Sequence, residues 1–525
     1  MEEPAHQSLS QFARLVVSAF EKREEEEPGK RITVNPIVSK FASVYEKVRN
    51  AMEYREDEVI LRSTIERILK RRLLLGGNAK TASEPLIREL LWARYLPENS
   101  IPQTMIADVE QTIDLYLELR LKVMAQHKFP DSLINEWTYQ LMSSEIEHIL
   151  NPHHEKEVIS NFMFQVLRDD VMITDDNEQT RDVQVFIAIH RAFSRDDIAF
   201  LRYHLFNQYF GKLTRENMQY VVDHFPEGNA EIARQINYPA KEKVYTYVKR
   251  RTAVFLILED VLEAHRDNPF ALVENEQSLK EAVVSATERR YSSISSKVRR
   301  AVVRSVAFIL LTKVIFAFAV EGTYERLFYG HIFWTSMVIN TTLPPVLMIV
   351  VSLFIRTPGN DNTERIVRYV KKLLYEESPR LGSGLNVQRV PKKGGTVDAV
   401  FNILWVFAFI LSFGAIIFIL TKLHFNPISE LVFIFFLAIV SFLTYRIALT
   451  ANLYVVGEKQ GLFTPVIDFL FMPVVRVGRR LTHSISQVNF LLFVFDFFIE
   501  TPFKLLFAFF EQWFYFLHTK SEELG

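Results

Sequence analysis

A lysine inside an apolar stretch is the first residue of this chain that is a candidate functional group. Lys313 lies past the middle of a run of 20 mostly apolar residues, Ala301 to Val320. An ammonium there costs several kcal/mol unless its side chain reaches the lipid interface or meets an anion. Glu321, Asp496 and Glu500 are the carboxylates that we consider as partners. Lys313 is therefore a functional group, half of an ion pair, or a residue that extends to the interface.

A cluster of polar residues and prolines near the centre of a second apolar run is the next candidate. It contains Asn340, Thr341, Thr342, Pro344 and Pro345. Two prolines remove two amide donors, so we expect the helix to kink or break there, with the Asn and Thr side chains satisfying the backbone. Broken helices line substrate sites in transporters. We favour a kink without a transport role, and we treat these residues together with Lys313 as a candidate intramembrane polar site.

A polar stripe runs through the Phe-rich and Leu-rich C-terminal part, within about 80° of arc at 100° per residue. Its members are Asn489, Asp496, Glu500, Lys504 and Glu511. The pairs Thr464-Pro465 and Thr501-Pro502 predict helix starts, because Thr caps a helix and Pro fits its first position. Two short amphipathic helices in the interface, with their charges toward water, are favoured over helices that enter the bilayer and turn the stripe inward.

The remaining chemistry-bearing residues give no catalytic, cofactor or metal site. In NPHHEKE, His153, His154 and Glu155 are adjacent, so they point to different sides of a helix, and surface histidines are the favoured interpretation. His190 and His204 fall on separate turns and do not indicate a further site. The chain has no cysteine, which excludes thiol nucleophiles, disulfides and thiolate metal sites. Without a GxSxG, kinase or dinucleotide motif, an enzyme is the less favoured class.

These residues must be positioned by membrane helices, which need about 20 apolar residues each. Four windows meet that requirement: Ala301 to Val320, His331 to Ile355, Ala399 to Thr421 and Leu431 to Thr450. The second and third contain no Asp, Glu, Lys or Arg. The sequence therefore predicts four transmembrane helices.

The distribution of Lys and Arg predicts the orientation of these helices. The loop between the second and third windows holds nine such residues, whereas the other two connections contain only Arg326 and Lys422. The N-terminal part, this loop and the C-terminus are therefore predicted to be cytoplasmic. The start MEEPAHQSLSQF lacks the pattern of a cleavable signal peptide. We expect a multi-pass protein of the cell membrane, plasma or inner, with both termini cytoplasmic.

The loop 356–398 contains a predicted amphipathic helix, NTERIVRYVKKLLYEE. Its apolar side consists of Ile366, Val367, Val370, Leu373 and Leu374. Much of its other side is basic, with Arg365, Arg368, Lys371 and Lys372 as candidate contacts to anionic lipids. Packing against the N-terminal domain is an equal alternative. The LGSG and KKGGT stretches that follow lack Walker spacing, and we interpret them as linkers.

The N-terminal part is predicted to be all-α. Its first 300 residues contain five glycines, which disfavours sheets with tight turns. Ser194 with Asp197 resembles a capping box before IAFLRYHLF, and residues 276 to 300 are expected to continue as one helix into the first span. Residues 101–200 hold 8 Lys+Arg against 18 Asp+Glu, a net of −10. We favour a solvated acidic face over a docking surface for a basic partner, and nucleic-acid binding is disfavoured.

The sequence thus predicts a cytoplasmic all-α domain (1–288), a four-span membrane domain (289–460) and amphipathic interfacial helices (461–525). The leading functional hypothesis is a membrane-anchored interaction, scaffold or regulatory protein at the cytoplasmic face, which contacts membrane lipids and a protein partner. One alternative is a channel or transporter that uses the second span and Lys313; four spans are few for this, so it requires a homo-oligomer. The other is an interfacial lipid-acting enzyme that uses Asp496 and Glu500.

Overall fold

The structure is a computed structural model in which the chain forms two compact units. The membrane unit includes Arg250–Gly382 and Val390–Gln487, and the N-terminal unit includes Gln11–Lys249 and Ser383–Arg389. The residues described are 8–21, 30–53, 59–74, 76–174, 176–353, 355, 358–387, 395–423, 425–457 and 464–486, with isolated positions between 506 and 517. The predicted division at 288 and 460 concerns membrane topology and stays a prediction.

The N-terminal unit is built from helices, as expected from its few glycines. They are α1 (Gln11–Ala19), α2 (Pro36–Glu53), α3 (Ile60–Leu74), α4 (Ala79–Trp92), α5 (Met105–Gln126), α6 (Asp131–Leu150), α7 (His154–Leu167), α8 (Glu178–Ile189), α9 (Ile198–Phe210), α10 (Met218–Asp223), α11 (Phe225–Ile236) and α12 (Lys241–Ala264), whose second half belongs to the membrane unit. The described residues are 79% helical, which confirms the all-α prediction at this level.

The core of the N-terminal unit lies where α3, α4, α5, α6 and α9 pack together. Ile65, Leu86, Ile113, Met142 and Phe206 are fully buried there. Burying one such side chain contributes about 1.5–3 kcal/mol. This core fixes α6 and α9 against each other, and both helices supply residues to the site described below.

Two short strands were not predicted. Strand β1 (Val171–Ile173) pairs in parallel with β2 (Leu385–Val387), with Val171 opposite Leu385. Strand β2 lies between LGSG and KKGGT, the two stretches that were interpreted as linkers, and it belongs to the N-terminal unit. Gly384 allows this pairing, since a Cβ there would lie 2.9 Å from the carbonyl oxygen of Asp170.

The membrane unit contains the apolar windows. Its elements are α13 (Pro269–Glu274), α14 (Glu276–Phe316), a π-helical turn (Ala317–Gly322), α15 (Thr323–Phe328), α16 (Trp334–Leu353), α17 (Asn360–Tyr375), α18 (Gly395–Lys422), α19 (Pro427–Ala451) and α20 (Thr464–Ser486). Helix α14 has 41 residues, which confirms that residues 276 to 300 continue into the first window. Helix α20 is described from Thr464, and the residues directly before its predicted start lie outside the described ones.

Three helical stretches of the described residues are long and apolar enough to cross a membrane: Glu276–Phe328, Ala399–Lys422 and Pro427–Ala451. Only 17% of the apolar window is buried in each of the first two, so most of their apolar surface suits contact with lipid. The apolar part of α16, Met337–Leu353, is shorter than these three stretches. The chain thus has the features of a membrane protein.

Helix α17 forms as predicted, and all five residues of its apolar side are buried. It packs against α14 and the segment after α19. The Asn362 amide donates to the Tyr291 hydroxyl and the Tyr454 carbonyl, both at 2.7 Å. The Tyr375 hydroxyl donates to the Val273 carbonyl at 2.6 Å. Helix α17 therefore packs within the membrane unit, and one of its partners, Val273, falls in the predicted 1–288 domain that the second alternative named.

Candidate functional site

The structure brings together two of the residues predicted for the intramembrane site. Lys313, near the end of α14, and Asn340, on α16, are both fully buried. Each meets Glu321, which is 1% exposed and lies in the π-helical turn that follows α14. The Lys313 Nζ lies 2.9 Å from the Glu321 Oε1. Of the partners considered for Lys313, Glu321 forms an ion pair with it, whereas Asp496 and Glu500 lie outside the described residues.

The Glu321 carboxylate collects donors from three sequence segments. Its Oε2 accepts hydrogen bonds from the Asn340 amide and, at 3.2 Å, from the Ser429 hydroxyl on α19. Lys313 also lies 5.1 Å from the ring centroid of Phe436, which adds a cation–π contact. We call Lys313, Glu321, Asn340 and Ser429 the intramembrane cluster. It joins α14, α16 and α19, and its acid and base neutralise each other.

A second buried carboxylate extends this arrangement. Glu325, on α15, accepts hydrogen bonds from the Phe333 amide and the Asn426 side-chain amide, both at 2.8 Å. Asn426 also caps α19, since its Oδ1 accepts from the Ser429 amide. Backbone and side-chain donors therefore satisfy Glu325 and tie it to the start of α19.

The other members of the predicted intramembrane site do not join the cluster. The Thr342 hydroxyl donates to the Val338 carbonyl at 2.8 Å, and Thr342 is exposed while Thr341 is half-buried. Pro344 and Pro345 are buried, and α16 runs through them without interruption. A break at the prolines was therefore wrong. A Thr hydroxyl bonded to a carbonyl of the preceding turn is compatible with such a continuous helix.

The remaining predicted sites divide between described and undescribed residues. Asn489, Asp496, Glu500, Lys504 and Glu511 lie outside the described residues, and so does the Thr501-Pro502 helix start. On α17, Arg365 donates to the Val456 carbonyl at 3.0 Å, and Lys371 pairs with Glu276. Arg368 is exposed and Lys372 half-buried.

A pocket in the N-terminal unit holds a cluster that the sequence analysis missed. Helix α8 passes into a π-helical turn, His190–Ser194, and Arg195 then adopts a left-handed backbone conformation with φ of 60°. A non-glycine residue in that conformation is uncommon, and it reverses the chain here. The Asp196 amide donates back to the His190 carbonyl at 3.0 Å. The reversal therefore places the Asp196 side chain beside the His190 ring.

Helix α9 then supplies the third member of the cluster. Asp197 caps this helix, because its side chain accepts from the Phe200 amide at 3.0 Å. The expected capping box at Ser194 was therefore wrong, since Ser194 still belongs to the π-helical turn. With the helix beginning at Ile198, His204 lies two turns along it and faces Asp196.

We call His190, Asp196 and His204 the histidine cluster. The His190 Nδ1 lies 2.7 Å from the Asp196 Oδ2, and the His204 Nε2 lies 3.3 Å from the same oxygen. The two imidazole rings are 4.4 Å apart between centroids. Burial opposes the charge of Asp196, but hydrogen bonds from the two histidines outweigh it and hold the pKa of this carboxyl well below its usual value. Asp196 is therefore an anion between two imidazoles.

The histidine cluster lines a cavity of about 400 Å³. Charged side chains on its wall include Arg94, Lys156, Glu147 and Glu157. Glu147 is 3% exposed, and burial, followed by the charges of Asp196 and Asp197 against that of Arg62, raises the pKa of its carboxyl to about 8. Its Oε2 is buried and has no hydrogen-bond partner among the described residues.

The histidines of NPHHEKE lie beside this cavity without forming a cluster of their own. His153 is exposed at its edge and approaches the Asn151 side chain at 3.1 Å, while His154 is exposed at the first position of α7. Glu155 is half-buried. Their placement on different sides agrees with the expectation for adjacent residues. In comparisons with protein-family models, curated proteins and solved structures, this chain matches none of them.

Proposed function

We propose that the protein is a membrane-anchored interaction or regulatory protein. In this proposal the membrane unit holds the N-terminal unit at the cytoplasmic face, where that unit binds its partner or ligand. One contrast carries the proposal: the buried ionisable groups of the intramembrane cluster are closed on one another, whereas the N-terminal unit presents ionisable groups to a cavity. A closed ion pair suits an anchor, because buried charges are tolerated between membrane helices when they are paired.

The proposed topology has four spans with both termini cytoplasmic. Helix α16 supports the fourth span, since its 20 residues reach about 30 Å at 1.5 Å per residue. The concentration of Lys and Arg in the 356–398 loop supports the orientation. A cell-membrane location, plasma or inner, is part of the same proposal.

Cysteine labelling tests this topology directly, because the chain has no cysteine to remove. Leu121, on α5, and His331, between α15 and α16, are both exposed positions for single cysteines. With a membrane-impermeant maleimide, His331→Cys should react in intact cells. Leu121→Cys should react only after the cells are permeabilised. Reaction of Leu121→Cys in intact cells would reverse the proposed orientation.

The interaction itself is tested by site-specific photo-crosslinking in the full chain in cells. A benzophenone amino acid replaces His153 at the cavity edge, and the matched control replaces Leu121, which is exposed but does not line the cavity. We expect a discrete adduct at position 153 that is absent at position 121. Identical patterns at both positions, or none at either, would count against a partner at the cavity.

Contact with anionic lipids is proposed for Arg368 and Lys372, because Arg365 and Lys371, the other two basic candidates on α17, already have partners. Each basic residue near a membrane surface contributes about 1 kcal/mol of attraction. The full chain should unfold at a higher temperature in nanodiscs of phosphatidylglycerol than of phosphatidylcholine, and Arg368→Gln with Lys372→Gln should reduce the difference. An equal difference in the variant would remove these residues from lipid binding.

A transport function is the second candidate, and Asn340 favours it. Its Oδ1 is buried without a hydrogen-bond partner among the described residues, which leaves one open acceptor in the intramembrane cluster. In this version a homo-oligomer forms a path past Lys313. Ion flux into proteoliposomes should then be lost in Lys313→Ala. Equal flux in the variant, or no flux in the wild type, would exclude this role.

A further inference from the structure

Three potential metal ligands converge in the histidine cluster. One nitrogen from each of His190 and His204 and one oxygen of Asp196 all lie within 4.8 Å of one another. Imidazole nitrogens together with a carboxylate are the donors that Zn²⁺ and related first-row ions accept. His190 lies in the π-helical turn, Asp196 follows the left-handed residue Arg195, and His204 lies on α9. The two turns fix the positions of His190 and Asp196.

The distances within the cluster fit a metal ion. In a tetrahedral site with bonds of about 2.0–2.1 Å, neighbouring ligand atoms lie about 3.3 Å apart. The His204 Nε2 and the Asp196 Oδ2 are 3.3 Å apart. The His190 Nδ1 is closer to that oxygen, at 2.7 Å, the length of a charge-assisted hydrogen bond. If a metal replaces the shared proton, the distance between the His190 Nδ1 and the Asp196 Oδ2 must increase by only about 0.6 Å. A small side-chain rotation suffices for that change.

Glu147 is an independent observation that points to a ligand in the same cavity. Its carboxylate is almost completely buried, and its Oε2 has no hydrogen-bond partner among the described residues. A buried carboxyl oxygen without a partner is costly, and a bound ion is one of the few conditions that satisfies it. Glu147 lines the same cavity as the histidine cluster. It is therefore a supporting carboxyl of the same cavity, supplied by α6.

Acidic and basic side chains both line the cavity wall. The acidic ones are Glu147, Glu157 and Asp196, and the basic ones are Arg94 and Lys156. The Lys156 ammonium is engaged by the Ser194 carbonyl, to which it donates at 3.1 Å. A divalent ion at the cluster would place its positive charge beside the Asp196 anion and the buried Glu147 carboxyl.

We propose that His190, Asp196 and His204 bind a divalent first-row transition metal ion of the Zn²⁺ class, with the Glu147 carboxyl as a supporting group in the same cavity. Two imidazole nitrogens and one carboxylate oxygen form a set of three protein ligands that Zn²⁺ and Co²⁺ both accept, and the fourth position of the tetrahedron faces the cavity. The site goes beyond the proposed function, because it requires only the geometry of the cavity. Metal occupancy would lock the π-helical turn and α9 together and thereby set the shape of the cavity.

The test uses the full chain, purified in detergent and stripped with a chelator, with Co²⁺ and Zn²⁺ alone as probes. Wild type should bind one Co²⁺ per chain with the visible absorption of a tetrahedral site, and Zn²⁺ should displace it. His204→Gln should weaken Zn²⁺ binding by more than the roughly 10–100-fold that loss of a supporting residue costs. His153→Gln, which removes an exposed histidine at the edge of the same cavity, should bind like wild type.

A second variant separates loss of a ligand from loss of folding. Glu147→Gln keeps the shape of the side chain and should weaken Zn²⁺ binding about tenfold or more, while its far-UV circular dichroism stays that of wild type. Zn²⁺ should also raise the unfolding temperature of wild type but not of His204→Gln. No saturable binding by wild type, or wild-type affinity in both variants, would reduce the cluster to a hydrogen-bond network only. The labelling and crosslinking tests do not depend on the metal, so either proposal can fail alone.

Discussion

The intramembrane cluster and the histidine cluster each place an acid against basic groups, yet they differ in what remains open. Glu321 receives Lys313, Asn340 and Ser429, and the ammonium and both carboxylate oxygens have partners. Asp196 receives two histidines at the wall of a cavity of about 400 Å³. In the first case, packing against neighbouring helices fills the surroundings of the charges. The difference teaches that the two clusters suit different roles. The intramembrane cluster, whose groups bond to one another, can hold helices together, whereas the histidine cluster lines a cavity that a ligand can enter.

Removal of the acid from the intramembrane cluster is expected to have the largest effect. Glu321→Ala leaves the Lys313 ammonium buried without its counter-ion. Breaking a buried pair on one side costs about 3–5 kcal/mol. We expect the free energy of unfolding, measured by titration with SDS in mixed micelles, to fall by that amount.

The double variant Lys313→Met with Glu321→Gln is the control for this prediction. It replaces the cation with an apolar side chain of similar length and leaves no net charge, so it should recover most of the lost stability. A loss below about 1 kcal/mol in Glu321→Ala would mean that the pair behaves as a solvated one. The contrast between the two clusters would then disappear.

The matching change in the histidine cluster should cost less. Asp196→Asn keeps the size of the side chain but removes the charge that accepts from His190 and His204. Hydrogen bonds to charged groups contribute about 1.5–3 kcal/mol, and we expect a loss in that range in the presence of a chelator. The control is Asp223→Asn, an exposed carboxylate bonded to two glutamines, Gln126 and Gln219. If both variants unfold like wild type, the histidine cluster contributes no stability without metal.

A third change tests how tightly the membrane unit is closed. At Gly478, on α20, an added Cβ would lie 1.9 Å from the carbonyl oxygen of Ala438 on α19. Helices in membranes approach closely at such small residues. Gly478→Ala should therefore separate α19 and α20 and destabilise the protein by about 1–3 kcal/mol. Gly414→Ala, on α18, meets no atom within 4 Å and should leave the unfolding temperature equal or higher.

The sequence predicted the membrane side of this contrast better than the other side. Lys313 stands out because a charge among apolar residues has a cost that the sequence displays directly. Its partner could not be chosen from spacing. Glu321 lies eight residues further on, about 12 Å along a regular helix, and it is the π-helical turn at Ala317–Gly322 that presents it to the cluster. Three candidates therefore remained until the backbone was known.

The histidine cluster escaped prediction because its backbone is irregular. His190 and Asp196 meet only through a π-helical turn and a left-handed residue, and neither has a reliable sequence signature. One signal was present. Had Asp197 been chosen as the cap of α9 in place of Ser194, Asp196 would directly precede the helix and His204 would lie two turns into it. The spacing of a histidine, an aspartate and a histidine around a helix start is therefore worth examining.

The smallest expected effect concerns β2, the short strand that directly follows the LGSG stretch. Gly384→Ala would place a Cβ 2.9 Å from the Asp170 carbonyl oxygen, to which the Leu385 amide donates at 2.7 Å. We expect a loss of about 1 kcal/mol and faster hydrogen exchange at the amides of Leu385 and Thr174, whose N–H donates to β2. Gly359→Ala, which meets no atom within 4 Å, is the control. Because three residues make few hydrogen bonds, a small clash suffices to open the pair. Exchange at Leu385 that is already fast in wild type would show that β1 and β2 do not form a stable pair.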